Sequence, residues 1–305
     1  MRYLFLLLTT AGCALASPID DPTEGAKDER GHQASRSHAL ETCEMALPSE
    51  TLTLEASAFG VALATPTEDG RALVQRYQGI GCDLDPVGLP IASHGLLGFD
   101  DAGQAYVFPA PAEGPGVVAT DGEAIAGPES LVARVALSGE VETVVTARRG
   151  IWGFGVSPEG STIWVDSCGP TGIFALTPTG LAPSIPTPDQ AWLSAPHALT
   201  GADRFWSLEA ESLQRASRAG QVEVASTADG GHQSGDIRVA RCGDRACTWD
   251  ARSVARWSDD GELDARIELD DATTRIRQVA GDDVGIYLLL VDEAGARLRF
   301  VPTEG

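Results

Sequence analysis

Residues Gly150 to Ile185 read GIWGFGVSPEGSTIWVDSCGPTGIFALTPTGLAPSI. Four short runs rich in β-branched and aromatic residues, GIWGFGV, STIWV, IFALTP and LAPSI, are separated by SPEG, DSCGPTG and TG, which are turn formers. A helix over the same ground would need about ten residues free of Gly and Pro, and no such window occurs here. The stretch therefore predicts four antiparallel strands joined by tight connections.

Its third run and terminal Gly belong to a box that recurs at Ala72 to Gly79, Val132 to Gly139, Ile173 to Gly180, Leu213 to Gly220, Val254 to Gly261 and Leu298 to Gly305. The box-ending glycines are 60, 41, 40, 41 and 44 residues apart. A bulky residue closes an apolar run upstream of each box, at Leu63, Tyr106, Trp164, Trp206, Trp249 and Tyr287, with spacings of 43, 58, 42, 43 and 38. Each series has one long interval, and the Pro/Gly-rich stretch from Pro109 to Pro128 falls inside both. Two independent landmarks thus count six units of four strands, the grammar of a six-bladed all-β propeller rather than a helical solenoid.

The last box ends at Gly305, which leaves the sixth unit without an outer strand, and an open sheet edge needs cover. Leu40 to Leu47, ahead of the first unit's own strands, is the available donor, so an N-terminal strand is expected to close the ring. The units resemble the broad group of propellers that includes NHL repeats, virginiamycin B lyase-like proteins and the SMP-30/gluconolactonase family, whose blades read as an apolar strand, an acid-Gly turn and a strand ending in an aromatic. The resemblance spans residues 51 to 305, and it speaks to fold, since one fold hosts many chemistries.

The N-terminus opens Met1-Arg2 and runs through Tyr3-Leu4-Phe5-Leu6-Leu7-Leu8 into small residues, a signal peptide. Ala14-Leu15-Ala16 offers one cleavage site, whereas Thr10-Ala11-Gly12-Cys13 is close to a lipobox with Thr where Leu is usual, making Cys13 the candidate lipidation residue. The expected organisation is residues 1–16 signal, 17–39 disordered polar tether and 40–305 propeller, exported as an outer-membrane lipoprotein or as a secreted or periplasmic protein. No later run approaches the roughly 18 apolar residues of a membrane helix, so an N-terminal lipid is the one expected membrane attachment.

Acidic residues number 44 against 22 basic, for a formal charge of -22, and such a surface repels phosphate backbones, which argues against nucleic acid as a partner. Six cysteines stand at 13, 43, 82, 168, 242 and 247; either processing route leaves five for an oxidising compartment. Cys242 and Cys247 flank Gly-Asp-Arg-Ala, a turn between two apolar runs, and are expected to bridge that hairpin. Spacing leaves the pairing of Cys43, Cys82 and Cys168 open; a Cys43–Cys82 bond is one arrangement that would staple the closing strand.

Nucleophile-elbow, zincin and P-loop signatures are absent, as is any Cys-x-x-Cys. The resemblance to gluconolactonase-like propellers would imply a calcium site using Asn oxygens, but the chain contains no Asn. Gly153-Phe154-Gly155 suggests close packing. Acid pairs at Glu68-Asp69, Asp100-Asp101, Asp259-Asp260 and Asp282-Asp283 suit turns before they suit cations. His94 and His197 each precede the first strand of a unit, where virginiamycin B lyase-like propellers also place His; as imidazoles at a channel mouth they are the candidate catalytic or metal-binding pair, an incidental loop position being the plainer reading. The long second unit holds Glu113, Asp121 and Glu123, candidate ligand-binding loop residues on the same face.

The expected function is thus a monomeric binding or interaction module for an unknown protein or small-molecule ligand on the loop face, with no cofactor required and a divalent cation left open. A metal-assisted lyase or hydrolase using His94 and His197 is the alternative, and a purely structural domain the third reading.

Overall fold

The computed structural model describes residues 41–48, 51–109, 130–147, 151–167, 172–178, 180–185, 197–201, 204–209, 212–216, 222–227 and 237–303, all within one unit, Leu40–Gly305. The architecture is all-β. The first strand, β1, is Cys43–Ala46. Next come β2 (Thr53–Ser57), β3 (Gly60–Pro66), β4 (Ala72–Ile80), the long β5 (Asp83–Phe99), β6 (Ala105–Pro109), β7 (Ser130–Val135) and β8 (Val141–Ala147), hydrogen-bonded in that order as one antiparallel sheet. Strands β9 (Ile151–Val156), β10 (Thr162–Ser167), β11 (Gly172–Thr177) and β12 (Gly180–Ile185) make a four-stranded sheet, and β13 (His197–Gly201), β14 (Arg204–Glu209), β15 (Ser212–Ala216) and β16 (Val222–Thr227) make another.

The remaining strands are β17 (Arg238–Cys242), β18 (Arg245–Trp249), β19 (Ser253–Trp257), β20 (Leu263–Glu268), β21 (Arg275–Gly281), β22 (Gly285–Asp292) and β23 (Gly295–Pro302). They share a sheet ordered β1-β23-β22-β21-β17-β18-β19-β20, in which β17 and β21 meet only through the parallel pair Cys242↔Gly281. At its end β1 lies antiparallel to β23, with Cys43 opposite Phe300 and Ala46 opposite Arg297.

Every strand assigned from the quoted stretch is present, because its signals are local. The bulky landmarks fall on β3, β6, β10, β14, β18 and β22, and none is more than 7% exposed. The boxes supply β4, β7, β11, β15, β19 and β23. Gly139 and Gly261 turn the corner after their boxes at φ +88° and +77°, a region in which a Cβ is strained. Gly153 answers a different demand: a Cβ there would lie 2.0 Å from the Trp164 ring, so its hydrogen leaves the space the indole fills.

The core is distributed between neighbouring groups of strands rather than gathered at one centre. Trp206 and Leu213 pack with Ala246 and Trp257, Cys247 and Val254 with Val279 and Leu288, and Leu54 and Leu63 with Tyr287 and Phe300. Burial of each leucine or phenylalanine among them contributes about 1.5–3 kcal/mol. The contact between β2 and the C-terminal strands also has polar stitches. Leu54 N donates to Gln278 Oε1 (3.0 Å) and Gln278 Nε2 donates to Leu54 O (2.7 Å), so one side-chain amide takes the place of a strand partner. Gly81 N donates to the buried Tyr287 hydroxyl at 2.9 Å.

The expected hairpin bond is present, and one of the pairings that spacing left open is present with it. Cys242 and Cys247 are bonded across the β17–β18 turn, and Cys43 is bonded to Cys82, which ties β1 to the turn between β4 and β5. Cys168, Cys13, the signal and the tether lie outside the described residues.

Candidate functional site

A chamber of about 340 Å³ is lined by residues of strands β2, β5, β9, β13, β17 and β21. Four ionisable residues line it: Glu55 from β2, Arg238 and Arg241 from β17, and Arg277 from β21. Leu97, Phe154, Leu199 and Trp249 supply apolar wall.

The arginines are held. Arg238 stacks on the Trp249 ring, 5.2 Å from its centroid, across the β17–β18 pair. Arg277 Nε donates to Leu52 O at 3.3 Å. Arg241 reaches from β17 to the N-terminal sheet, where Nη2 donates to Ala56 O and, at 2.7 Å, to Phe99 O, while its Nη1 is buried with no hydrogen-bond partner. Burial pushes the Glu55 carboxyl up to about 7, against the opposing pull of Arg241. Burial likewise lowers Arg241 from its ordinary value, with Glu55 the first of several carboxylates that resist.

A second cavity, of about 160 Å³, shares Arg241 with the first and is walled by turn residues including Asp101, Glu159, Asp244 and Asp283. The acid pairs do turn chemistry here. Asp100 Oδ1 accepts from Ala102 N (3.0 Å) and Gln104 N (2.9 Å), and Asp282 Oδ1 accepts from Val284 N (3.0 Å) and Gly285 N (2.8 Å).

His94 lies inside β5, not ahead of a strand, because β5 runs on unbroken from its pairing with β4 to its pairing with β6; the register skips between Ser93 and Gly95. The imidazole is buried and neither ring nitrogen has a partner. Burial first, then Arg71, holds it below the ordinary histidine value, with Asp69 acting in the opposite sense. The chamber takes Leu97 and Gly98 from β5 and does not include His94. His197 opens β13, opposite Ser207. Glu113, Asp121 and Glu123 lie outside the described residues. Among the described residues no three of His, Cys, Asp and Glu stand where they would hold a metal ion.

Sequence reasoning missed Glu55, Arg238, Arg241 and Arg277. A signal existed for two of them: the first strand of the fifth unit reads RVARC, with two arginines, where other first strands read LLGF and GFGV. Nothing local marks Glu55, since alternating polar residues are normal on a strand with one face in water.

No protein-family model and no curated protein matches the sequence. Among solved structures the chain is similar to selenomethionine-substituted virginiamycin B lyase from Staphylococcus aureus, at 10% identity and a TM-score of 0.51, over 87% of this chain and 99% of that one. A likeness at that identity carries the fold alone. The chain is an all-β protein of β-propeller-like fold.

Proposed function

We propose that this chain is an exported six-bladed β-propeller that binds a small molecule in its central channel. The observation that carries the reading is the chamber, to which β2, β5, β9, β13, β17 and β21 contribute and which is lined by four ionisable residues and an apolar wall, the mix expected of a ligand site. Six blades follow if β5 serves twice, as the last strand of one blade and the first of the next, and if the single β17–β21 pair joins two blades rather than making one. β1 on β23 then supplies the missing outer strand, and the packing of Leu54 and Leu63 on Tyr287 and Phe300 closes the last blade on the first. Two disulfides and a signal-like N-terminus support export, with Cys13 lipidation or cleavage after Ala16 as the two routes.

Channel binding is tested with Thr53→Trp, which builds an indole into the chamber from the strand that carries Glu55. Ligands found in a thermal-shift screen of the native protein should lose their effect on this variant while its circular dichroism stays native. Ligands that stabilise both proteins equally would place binding elsewhere. Closure is tested by truncation: removing residues 1–50 should lower the melting temperature, and removing 1–36 should not.

A metal-assisted lyase using His94 and His197 is a second reading, favoured by the two unpartnered ring nitrogens of His94 and by the lyase named among similar folds. Equilibration with divalent metals tests it, with one tightly bound ion per chain, lost in His94→Gln, as the expected result.

A further inference from the structure

We infer that the second cavity, of about 160 Å³, is a site for a short primary alkylammonium ion, separate from the chamber on which the channel-binding reading rests. Its walls are the turns that follow β2, β5, β9, β17 and β21, with Thr200 from near the end of β13. Neighbouring turns are tied to one another. Ala58 N donates to Asp101 Oδ1 (2.9 Å), Asp101 N to Pro158 O (2.8 Å), Gly243 N to Gly281 O (3.0 Å) and Asp244 N to Asp283 Oδ1 (3.2 Å). These bonds set the wall before a ligand arrives, which limits the freedom lost on binding.

Charge in the cavity is one-sided. Asp101, Glu159, Asp244, Asp282 and Asp283 line it, and Arg241 is the one cation of the described lining. Asp101 and Glu159 act on Arg241 together with Glu55 and Asp100 from beyond the cavity, so that guanidinium is already outnumbered. Asp282 is committed to its own turn through Val284 N and Gly285 N. Arg245 stands 3.7 Å from Asp244 but also pairs with Asp264. With Asp101 set against Arg241 and Asp244 against Arg245, the carboxylates of Glu159 and Asp283 are left over among the described residues.

Acidic turns are ordinary on a chain of charge -22, and the second observation here is Thr200. It lines the cavity, is 3% exposed, and its Oγ1 is buried with no hydrogen-bond partner. Buried hydroxyls are nearly always bonded, and one left open beside carboxylates offers its lone pairs to a ligand N–H. Spacing and size then define the ligand. Among the described residues no three of His, Cys, Asp and Glu stand where they would hold one metal ion, so the acids are too dispersed for a bare cation. An ammonium group has three N–H bonds, which reach separate acceptors, and those to carboxylates are charge-assisted. At about 30 Å³ per water-sized group the cavity holds about five non-hydrogen atoms, the size of butylammonium. Ala58, Pro158, Gly243 and Gly281 line the alkyl chain without polar side chains.

Calorimetric titration of the full chain at low salt with butylammonium, butanol, butyrate and calcium provides the test. Butylammonium should saturate with a Kd below about 1 mM, at least about tenfold tighter than butanol, and butyrate should not bind. Thr200→Val exchanges the open hydroxyl for a methyl of the same shape. It should weaken butylammonium about tenfold while leaving the melting temperature of the free protein unchanged or higher, a combination that a purely structural threonine would not give. Glu159→Gln, at an exposed position, should weaken binding about threefold to tenfold, whereas Glu223→Gln, an exposed carboxylate on β16 outside the cavity, should not. Thr53→Trp, which fills the chamber, should leave butylammonium bound as before. Butanol binding as tightly as butylammonium, native affinity in Thr200→Val, or equal weakening in Glu223→Gln and Glu159→Gln would overturn the assignment. So would calcium displacing the amine, loss of the amine in Thr53→Trp, or no saturation below about 10 mM. Chamber ligands blocked by Thr53→Trp would stand in each of these cases.

Discussion

Replacing both Cys43 and Cys82 by Ser removes the bond that ties β1 to the first group of strands, at two half-buried positions where a hydroxyl is tolerated. The bond closes a sequence separation of 39 residues, and the loop-entropy relation assigns such a closure about 4 kcal/mol of stability. With about 2 °C per kcal/mol for a domain of this size, the melting temperature should fall by about 8 °C. Guanidinium denaturation followed by fluorescence of the 6 tryptophans should show a lower midpoint with little change in slope. Reducing the native protein should cost a further 2 kcal/mol or so, because the Cys242–Cys247 bond spans only 5 residues. The double mutant should also exchange the amide protons of β1 faster, since four paired residues would then be its main hold on β23. A loss below about 1 kcal/mol with unchanged β1 protection would refute the reasoning, for it would mean that β1 is secured by its pairing with β23 alone.

Tyr287→Phe removes the buried acceptor of Gly81 N and should destabilise by about 1–3 kcal/mol in thermal or chemical unfolding; an unchanged midpoint would show that the bond contributes nothing. Gly153→Ala drives a Cβ into the Trp164 ring and should cost about 1–3 kcal/mol with a visible change in near-ultraviolet dichroism, whereas a neutral effect would show that the indole can move. Glu55→Gln should be as stable as the native protein near pH 4 and more stable above pH 7. The folded carboxyl is raised from 4.5 to about 7, so the native protein loses stability as pH climbs through that window, by at most about 3 kcal/mol. Parallel stability–pH curves for the two proteins would rule out the raised value.

The amino-acid sequence by itself determined the strands, the corners and their repetition. IFALTP followed by Thr-Gly, or VARW followed by Ser-Asp-Asp-Gly, specifies a strand and a turn through side-chain branching and glycine torsions, which act within a few residues. The Cys242–Cys247 bond was legible for the same reason, its partners facing each other across a hairpin. Tertiary structure alone decided what meets in the middle. Arg241 touches Ala56 and Phe99, residues 185 and 142 positions away, because strands distant in the chain border one chamber. It also decided that Cys43 finds Cys82, since β1 leaves its neighbours in sequence to pair with β23. The raised carboxyl of Glu55 and the unpartnered nitrogen of Arg241 come from desolvation, a property of the space that the assembled strands enclose, and no spacing along the chain encodes it.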